Sequence, residues 1–205
     1  MIRNTALRGA LLALPLLLAG CAALQPPPVP PSVAQAERNY HPTLTAGGRL
    51  SIRYQGLNGP EVMAGRFEWH QTPAATRIAL LSPLGQTIAR IVVAPGGATL
   101  QQAGQPPRAA KDADALTAQT LGWPLPVAGL HDWLQGFGTD MQGRRFVATP
   151  ASDSFTTDDG WHVQYPAWQD DGSGSARPRR VDLSRRTDQA GEVTIRIVLD
   201  TWQTP

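Results

Sequence analysis

The chain has 205 residues, with 18 Lys and Arg against 16 Asp and Glu, a formal charge of +2 and a single cysteine, Cys21. One cysteine excludes an intrachain disulfide and a Cys₄ metal site. Near-balanced charge excludes the overall basic excess by which phosphate-tracking nucleic-acid binders work, and the balance becomes even once a leader carrying Arg3 and Arg8 is set aside.

Residues 1–20 read as an export signal. Arg3 and Arg8 form a positive start, residues 10–19 (ALLALPLLLA) an apolar run too short to span a bilayer, and Leu18-Ala19-Gly20-Cys21 follows at once. That ending resembles the lipobox of bacterial lipoproteins, which implies that Cys21 becomes the lipidated first residue of the mature chain. Five prolines in residues 26–31 favour an extended polyproline tether, which at about 3.1 Å per residue reaches roughly 45 Å over some fifteen residues. Ser32 is suited to cap a short helix through Ala34, Ala36 and Arg38, which His41-Pro42 would end.

From Gly47 onward the pattern has period two. Leu50, Ile52 and Tyr54 alternate with Arg49, Ser51 and Arg53, and Phe67 and Trp69 alternate with Arg66, Glu68 and His70, as half-buried antiparallel strands do. Gly56 to Pro60 is the expected turn between them. Residues 78–93 (IALLSPLGQTIARIVV) are two apolar arms meeting at Ser82-Pro83-Leu84-Gly85, a hairpin in which Pro83 presets the first inner turn position and Gly85 suits the last corner. Leu84 therefore sits on a loop tip. Leaving a Leu exposed forgoes roughly 1.5–3 kcal/mol, so it either folds back onto the core or is held out to meet something apolar. A turn at residues 94–97 and a strand over 98–102 follow, and six successive strand candidates make an antiparallel meander the economical topology.

Residues 111–136 break that rhythm. Asp112 or Asp114 suits the start of a helix carrying Leu116 and Leu121, which Gly122 and Pro124 end. A second helix begins near Pro126 and places Leu130, Trp133 and Leu134 on one apolar stripe before Gly136. Such helices either cover an open sheet face or act as a movable lid, which Gly122, Gly129 and Gly136 would permit. Strands return at Trp161, Val163 and Tyr165, at Val181 and Leu183, and at Val193, Ile195, Ile197 and Leu199. The loop Asp170 to Ala176 is solvated, and Arg177, Arg179, Arg180, Arg185 and Arg186 mark the solvent side of a strand region. An antiparallel sheet of this size must curl, close or split, so the expected fold is mainly β: an unclosed barrel of about 9–11 strands with helices inside it or across its mouth.

Catalytic patterns are absent. His41, His70, His131 and His162 are widely separated, and Asp158-Asp159 and Asp170-Asp171 sit in polar turns, so neither a metal site, a cofactor nor an enzymatic activity is expected. Six Trp stand against four Phe and three Tyr; broad side chains serve plain burial and also line acyl-chain pockets.

Taken in order, Gly48-Arg49-Leu50-Ser51, Phe67-x-Trp69, Leu81-Ser82-Pro83-Leu84-Gly85-Gln86, Leu121-Gly122-Trp123-Pro124-Leu125-Pro126, Asp132-Trp133-Leu134-x-Gly136, Gly160-Trp161-x-Val163-x-Tyr165 and Leu199-x-x-Trp202 resemble the LolB family of outer-membrane lipoprotein receptors over nearly the whole mature chain. The resemblance implies a signal peptide (1–20), a lipidated Cys21 with tether and short helix (21–45), and a half-barrel domain (46–205) with a helical lid over a hydrophobic cavity. It implies a monomer, anchored by N-acyl and S-diacylglycerol groups on Cys21 to the outer membrane and facing the periplasm. This monomer would accept triacylated lipoproteins from a LolA-like carrier and insert them among outer-membrane lipids. Leu84, flanked by Pro83 and Gly85, matches the family's exposed insertion Leu; Trp69, Trp133, Trp161, Leu130, Leu134 and Ile195 are the expected cavity or lid residues. A lipid-anchored module binding another hydrophobic ligand is the alternative. The long tether and the Asp170 to Ala176 insertion depart from the family pattern.

Overall fold

The computed structural model describes residues 38–56, 58–121, 125–170, 176–188 and 190–205, with Leu121 described by its backbone alone. The leader, Cys21, the proline tether and the cap expected at Ser32 lie outside the described residues. So do Gly122, Trp123 and Pro124 between the helices, and residues 171–175 of the solvated loop.

The period-two segments form strands where expected. β1 (Leu44–Gly56), β2 (Gly59–Gln71), β3 (Thr76–Leu81), β4 (Thr87–Ala94), β5 (Gly97–Gln102) and β6 (Arg108–Ala110) make the meander. α1 (Ala113–Leu121) and α2 (Val127–Trp133) follow. The chain ends in β7 (Phe137–Thr139), β8 (Arg145–Val147), β9 (Ser154–Thr156), β10 (His162–Asp170), β11 (Ala176–Thr187) and β12 (Gly191–Gln203). Ten of these strands join in one antiparallel sheet in the order β6-β5-β4-β3-β2-β1-β12-β11-β10-β9, with β7 and β8 forming a separate hairpin. β1 pairs with β2 on one side and β12 on the other, so the first and last strands meet at the centre of the sheet. The edges are left to the three-residue β6 and β9, which do not pair with each other. The sheet stays open, and its edges are too short to template further pairing.

One face carries the core. Phe67, Trp69 and Gln71 of β2 are buried while Arg66, Glu68 and His70 are exposed, and on β12 Val193, Ile195, Ile197 and Leu199 are buried in alternation. The helices lie on this apolar side. Asp112 caps α1 by accepting from the Ala115 N–H at 2.6 Å, which fixes the start of the helix at the first of the two candidate aspartates. Asp114 accepts from the Ala128 N–H at 3.4 Å, and the Thr117 hydroxyl accepts from the Leu125 N–H at 2.8 Å. The two short helices thus form one hydrogen-bonded unit, and burial beside α2 raises the Asp114 carboxyl above the usual carboxylate range.

Some details differ from the sequence expectations. β6, β7, β8 and β9 have three residues each, too few to show an alternation. Residues 38–41 are not helical, because their side chains are drawn into contacts with the helices and β2. Arg177 is buried rather than solvent-facing: register shifts between β10 and β11 break the alternation, and its guanidinium lies 5.0 Å over the Trp202 ring. Replacing Asp112 with Ala is expected to cost about 1 kcal/mol by leaving an N-terminal amide of α1 without its cap. Urea denaturation at neutral pH measures it.

Candidate functional site

Between the sheet and α2 lies an apolar cavity of about 140 Å³. Its walls come from Leu50 and Ile52 of β1, Phe67 and Trp69 of β2, Leu80 of β3, and Ile195 and Ile197 of β12. Its roof comes from Leu125, Leu130 and Leu134. Among the described residues its polar or charged lining consists of Arg66 and Gln102. A larger recess of about 320 Å³ on the opposite sheet face is lined by polar groups such as Ser51, Arg53, Asp182 and Arg196, and offers nothing to a hydrocarbon.

Of the residues expected from the sequence, the structure brings Trp69, Leu130, Leu134 and Ile195 together around this cavity. Trp133 and Trp161 are buried elsewhere. Leu130 and Leu134 are four apart and share a helix face, whereas Trp133 falls on its flank and meets Phe155 edge-on, with centroids 6.5 Å apart. A Cβ on Gly129 would lie 2.4 Å from the Trp133 ring, so that glycine makes room for the indole, a role distinct from hinging. Trp161 packs under Arg185, whose guanidinium is 5.8 Å from the ring, and its N–H donates to the Thr157 hydroxyl at 2.9 Å. Both tryptophans are core; one tryptophan of the three lines the cavity.

The β3–β4 turn holds Leu84 out. The Gly85 N–H donates to the Ser82 carbonyl at 2.9 Å, the Ser82 N–H donates to the Gln86 carbonyl at 2.8 Å, and the Ser82 hydroxyl accepts from the Gln86 N–H at 3.2 Å. Gly85 sits at φ +88°, a conformation that disfavours any Cβ, with Pro83 before Leu84 completing the turn. Leu84 is 90 % exposed, the most exposed large apolar side chain among the described residues.

A polar strap, which sequence reasoning missed, fastens the roof. Gln71 and Gln135 are both buried. Gln135 accepts from the His41 N–H at 2.9 Å and donates to the His41 carbonyl at 3.0 Å. Gln71 accepts from the Trp69 indole at 3.1 Å and donates to the Tyr40 hydroxyl at 3.1 Å; that hydroxyl shares a 2.6 Å hydrogen bond with His131 Nδ1 on α2. Arg38 donates to the Gln135 carbonyl at 3.0 Å and to the Ala148 carbonyl. Residues 38–41 therefore tie β2, the end of α2 and the segment after β8 to one another. Gln71 falls on the inward phase of β2 and Gln135 lies just beyond α2, but only their spatial partners reveal what two buried amides do there.

An open antiparallel half-barrel, with an apolar pocket under a short helical roof and one Leu held out on a hairpin, defines a hydrophobic-ligand carrier or receptor. The family model for the outer membrane lipoprotein LolB matches residues 43–202. Outer-membrane lipoprotein LolB of Cupriavidus taiwanensis is 39% identical over 98% of this chain and 100% of its own length, and that of Cupriavidus pinatubonensis is 38% identical over 98% of each. The chain belongs to the LolB family and is an outer-membrane lipoprotein receptor of the lipoprotein-localisation pathway. A LolA superfamily protein from Nitrosomonas europaea, covering 85% of this chain and 90% of its own, is 8% identical with a TM-score of 0.46, a likeness that adds nothing to the assignment.

Removing the Gln71 side chain orphans the buried Trp69 indole N–H. Gln71→Ala is expected to lose about 1–3 kcal/mol in urea denaturation. Burial, reinforced by the nearby Asp132 charge, pushes the Tyr40 phenol up from 10.0 to about 12. The folded state thus keeps a proton that the unfolded chain releases. Tyr40's contribution is complete below pH 10.0 and declines as pH rises toward about 12. Between pH 9 and 11 the denaturation midpoint of Tyr40→Phe is expected to fall less than that of the wild type.

Proposed function

We propose that the protein accepts triacylated lipoproteins from a LolA-like periplasmic carrier, holds their acyl chains beneath α2 and releases them into the inner leaflet of the outer membrane. Cys21, carrying N-acyl and S-diacylglycerol groups, anchors it with the domain facing the periplasm, and it works as a monomer without a cofactor. The observation that carries this reading is the apolar cavity between Trp69, Leu130, Leu134 and Ile195. Each methylene kept from water is worth about 0.8 kcal/mol, so several acyl chains need a continuous apolar host during transfer. A preference of about 1.4 kcal/mol for the receptor's cavity over the carrier's biases the handover tenfold without nucleotide.

The cavity's size supports a loading step in which the roof opens. About 140 Å³ is well below the roughly 300–1,000 Å³ of ordinary ligand pockets, so α2 moves outward as chains enter. A seven-residue helix, anchored by Val127, Leu130 and Trp133 and by the polar strap, is short enough to move as one piece. Leu84 then enters the lipid surface and aligns the domain on it.

Because Leu84 is exposed, Leu84→Glu is expected to change stability by no more than about 0.5 kcal/mol. It is expected to take a labelled lipoprotein from the loaded carrier as the wild type does, yet deliver at least about tenfold less to liposomes. Intact delivery by this variant would remove Leu84 from the mechanism. If the label never leaves the carrier for wild type either, the receptor reading gives way to a passive lipid-binding module.

A further inference from the structure

The strands of the sheet are unequal, and the inequality leaves a gap beside the cavity. β2 has 13 residues, but β3 pairs with it only from Gln71 back to Arg66, opposite Leu81. Pro60 to Gly65 therefore have β1 on one side and, among the described residues, no strand on the other. A register shift at Leu80 and Leu81 falls at the same level: Leu80 faces Ala89, Leu81 faces Thr87, and Ile88 is left without an opposite number. Such a bulge bends the strand. At the apex of the notch a Cβ on Gly65 would come within 2.4 Å of the Leu81 carbonyl oxygen, so β2 and β3 touch there only because residue 65 is glycine.

The cavity reaches this notch. Met63 and Ala64 on β2 and Leu81 and Ile88 on the hairpin all line it, yet Met63 is 37 % exposed and Ile88 47 %. Side chains that both line a cavity and meet solvent mark its opening. Four of the six large apolar side chains exposed among the described residues, Val62, Met63, Leu84 and Ile88, lie on the two strands and the hairpin that frame it. Met141 and Val147, the other two, belong to the β7–β8 hairpin. An apolar cluster of this kind on an otherwise polar surface is a contact site.

We propose that this notch is the portal through which an acyl chain passes between the cavity and the lipid surface, with Met63 and Ile88 as its two sides. The portal rests on the acyl-cavity reading above and adds the route: the hairpin that carries Leu84 also forms one wall of the exit. A chain leaving here passes from Leu80 and Leu81 to Met63 and Ile88 and then to lipid, with apolar contact at each stage. Arg66, at the same opening, offers a charged group to the headgroup layer while the chain stays on apolar surface.

The test uses the full chain carrying Cys21→Ser, so that flotation reports contacts of the folded domain and not a lipid on residue 21, with a fluorescent synthetic triacylated lipopeptide and vesicles of phosphatidylethanolamine and phosphatidylglycerol. Met63→Glu and Ile88→Glu put a carboxylate in the passage, Met63→Leu restores an apolar side, and Met141→Glu is the matched charge on an exposed Met away from it. Both portal variants are expected to float with vesicles as the wild type does and to lose less in equilibrium binding of the lipopeptide than in rate. Their uptake and release should each be slowed at least about tenfold, because a charge in the path raises the barrier in both directions. Met63→Leu and Met141→Glu should keep wild-type rates. Release from Met63→Glu and Ile88→Glu at the wild-type rate overturns the portal. Slow release accompanied by loss of vesicle flotation also overturns it, by making Met63 and Ile88 membrane contacts. Failure of the wild type to take up the lipopeptide removes the acyl-cavity reading and the portal with it.

Discussion

Covering the inner face of a sheet that does not close is the constraint on which the rest of this structure depends. The long central strands present Trp69, Phe67, Ile195 and Ile197 on one side, and the short edge strands cannot meet to seal that side off. The helices do the covering. α2 has seven residues, too few to be stable alone, so its place is set by burial of Val127, Leu130, Trp133 and the following Leu134 and by its hydrogen bonds.

The strap explains why so small a roof stays in place. Gln71 and Gln135 are buried and would be costly without partners, and residues 40 and 41 supply those partners. The asymmetry of buried hydrogen bonds makes the strap specific: moving it leaves the side-chain amides of Gln71 and Gln135 to find other partners at once. The strap is also the stretch of described chain nearest the proposed anchor at Cys21.

The β3–β4 hairpin shows how one local feature serves two purposes. Its turn chemistry, with Ser82 satisfying three backbone hydrogen bonds and Gly85 at positive φ, holds Leu84 away from the core. Its shortness relative to β2 leaves the notch where the cavity reaches the surface. The exposed Leu at the tip follows from the turn and the cavity opening at the base from the mismatch in strand length, and one hairpin carries both.

The sequence by itself determined the strands whose apolar residues repeat every second position, the two helices, the hairpin turn and the identity of the family, because each of these is written in local order or in contiguous motifs. Helical and strand periodicities place Leu130, Leu134, Trp69 and Ile195 on inward faces, and the structure has all four lining the pocket. Trp133 and Trp161 were not separable from them: burial and cavity lining select the same bulky side chains, and only the direction of each ring distinguishes the two. The three-residue strands, the buried Arg177 and the glutamine strap were decided by tertiary structure alone. Their partners lie far along the chain, up to Gln135 for His41 and Trp202 for Arg177, and no periodicity in one segment encodes a contact with another. The same holds for the opening between Met63 and Ile88, which exists only because two hairpins of unequal length lie side by side.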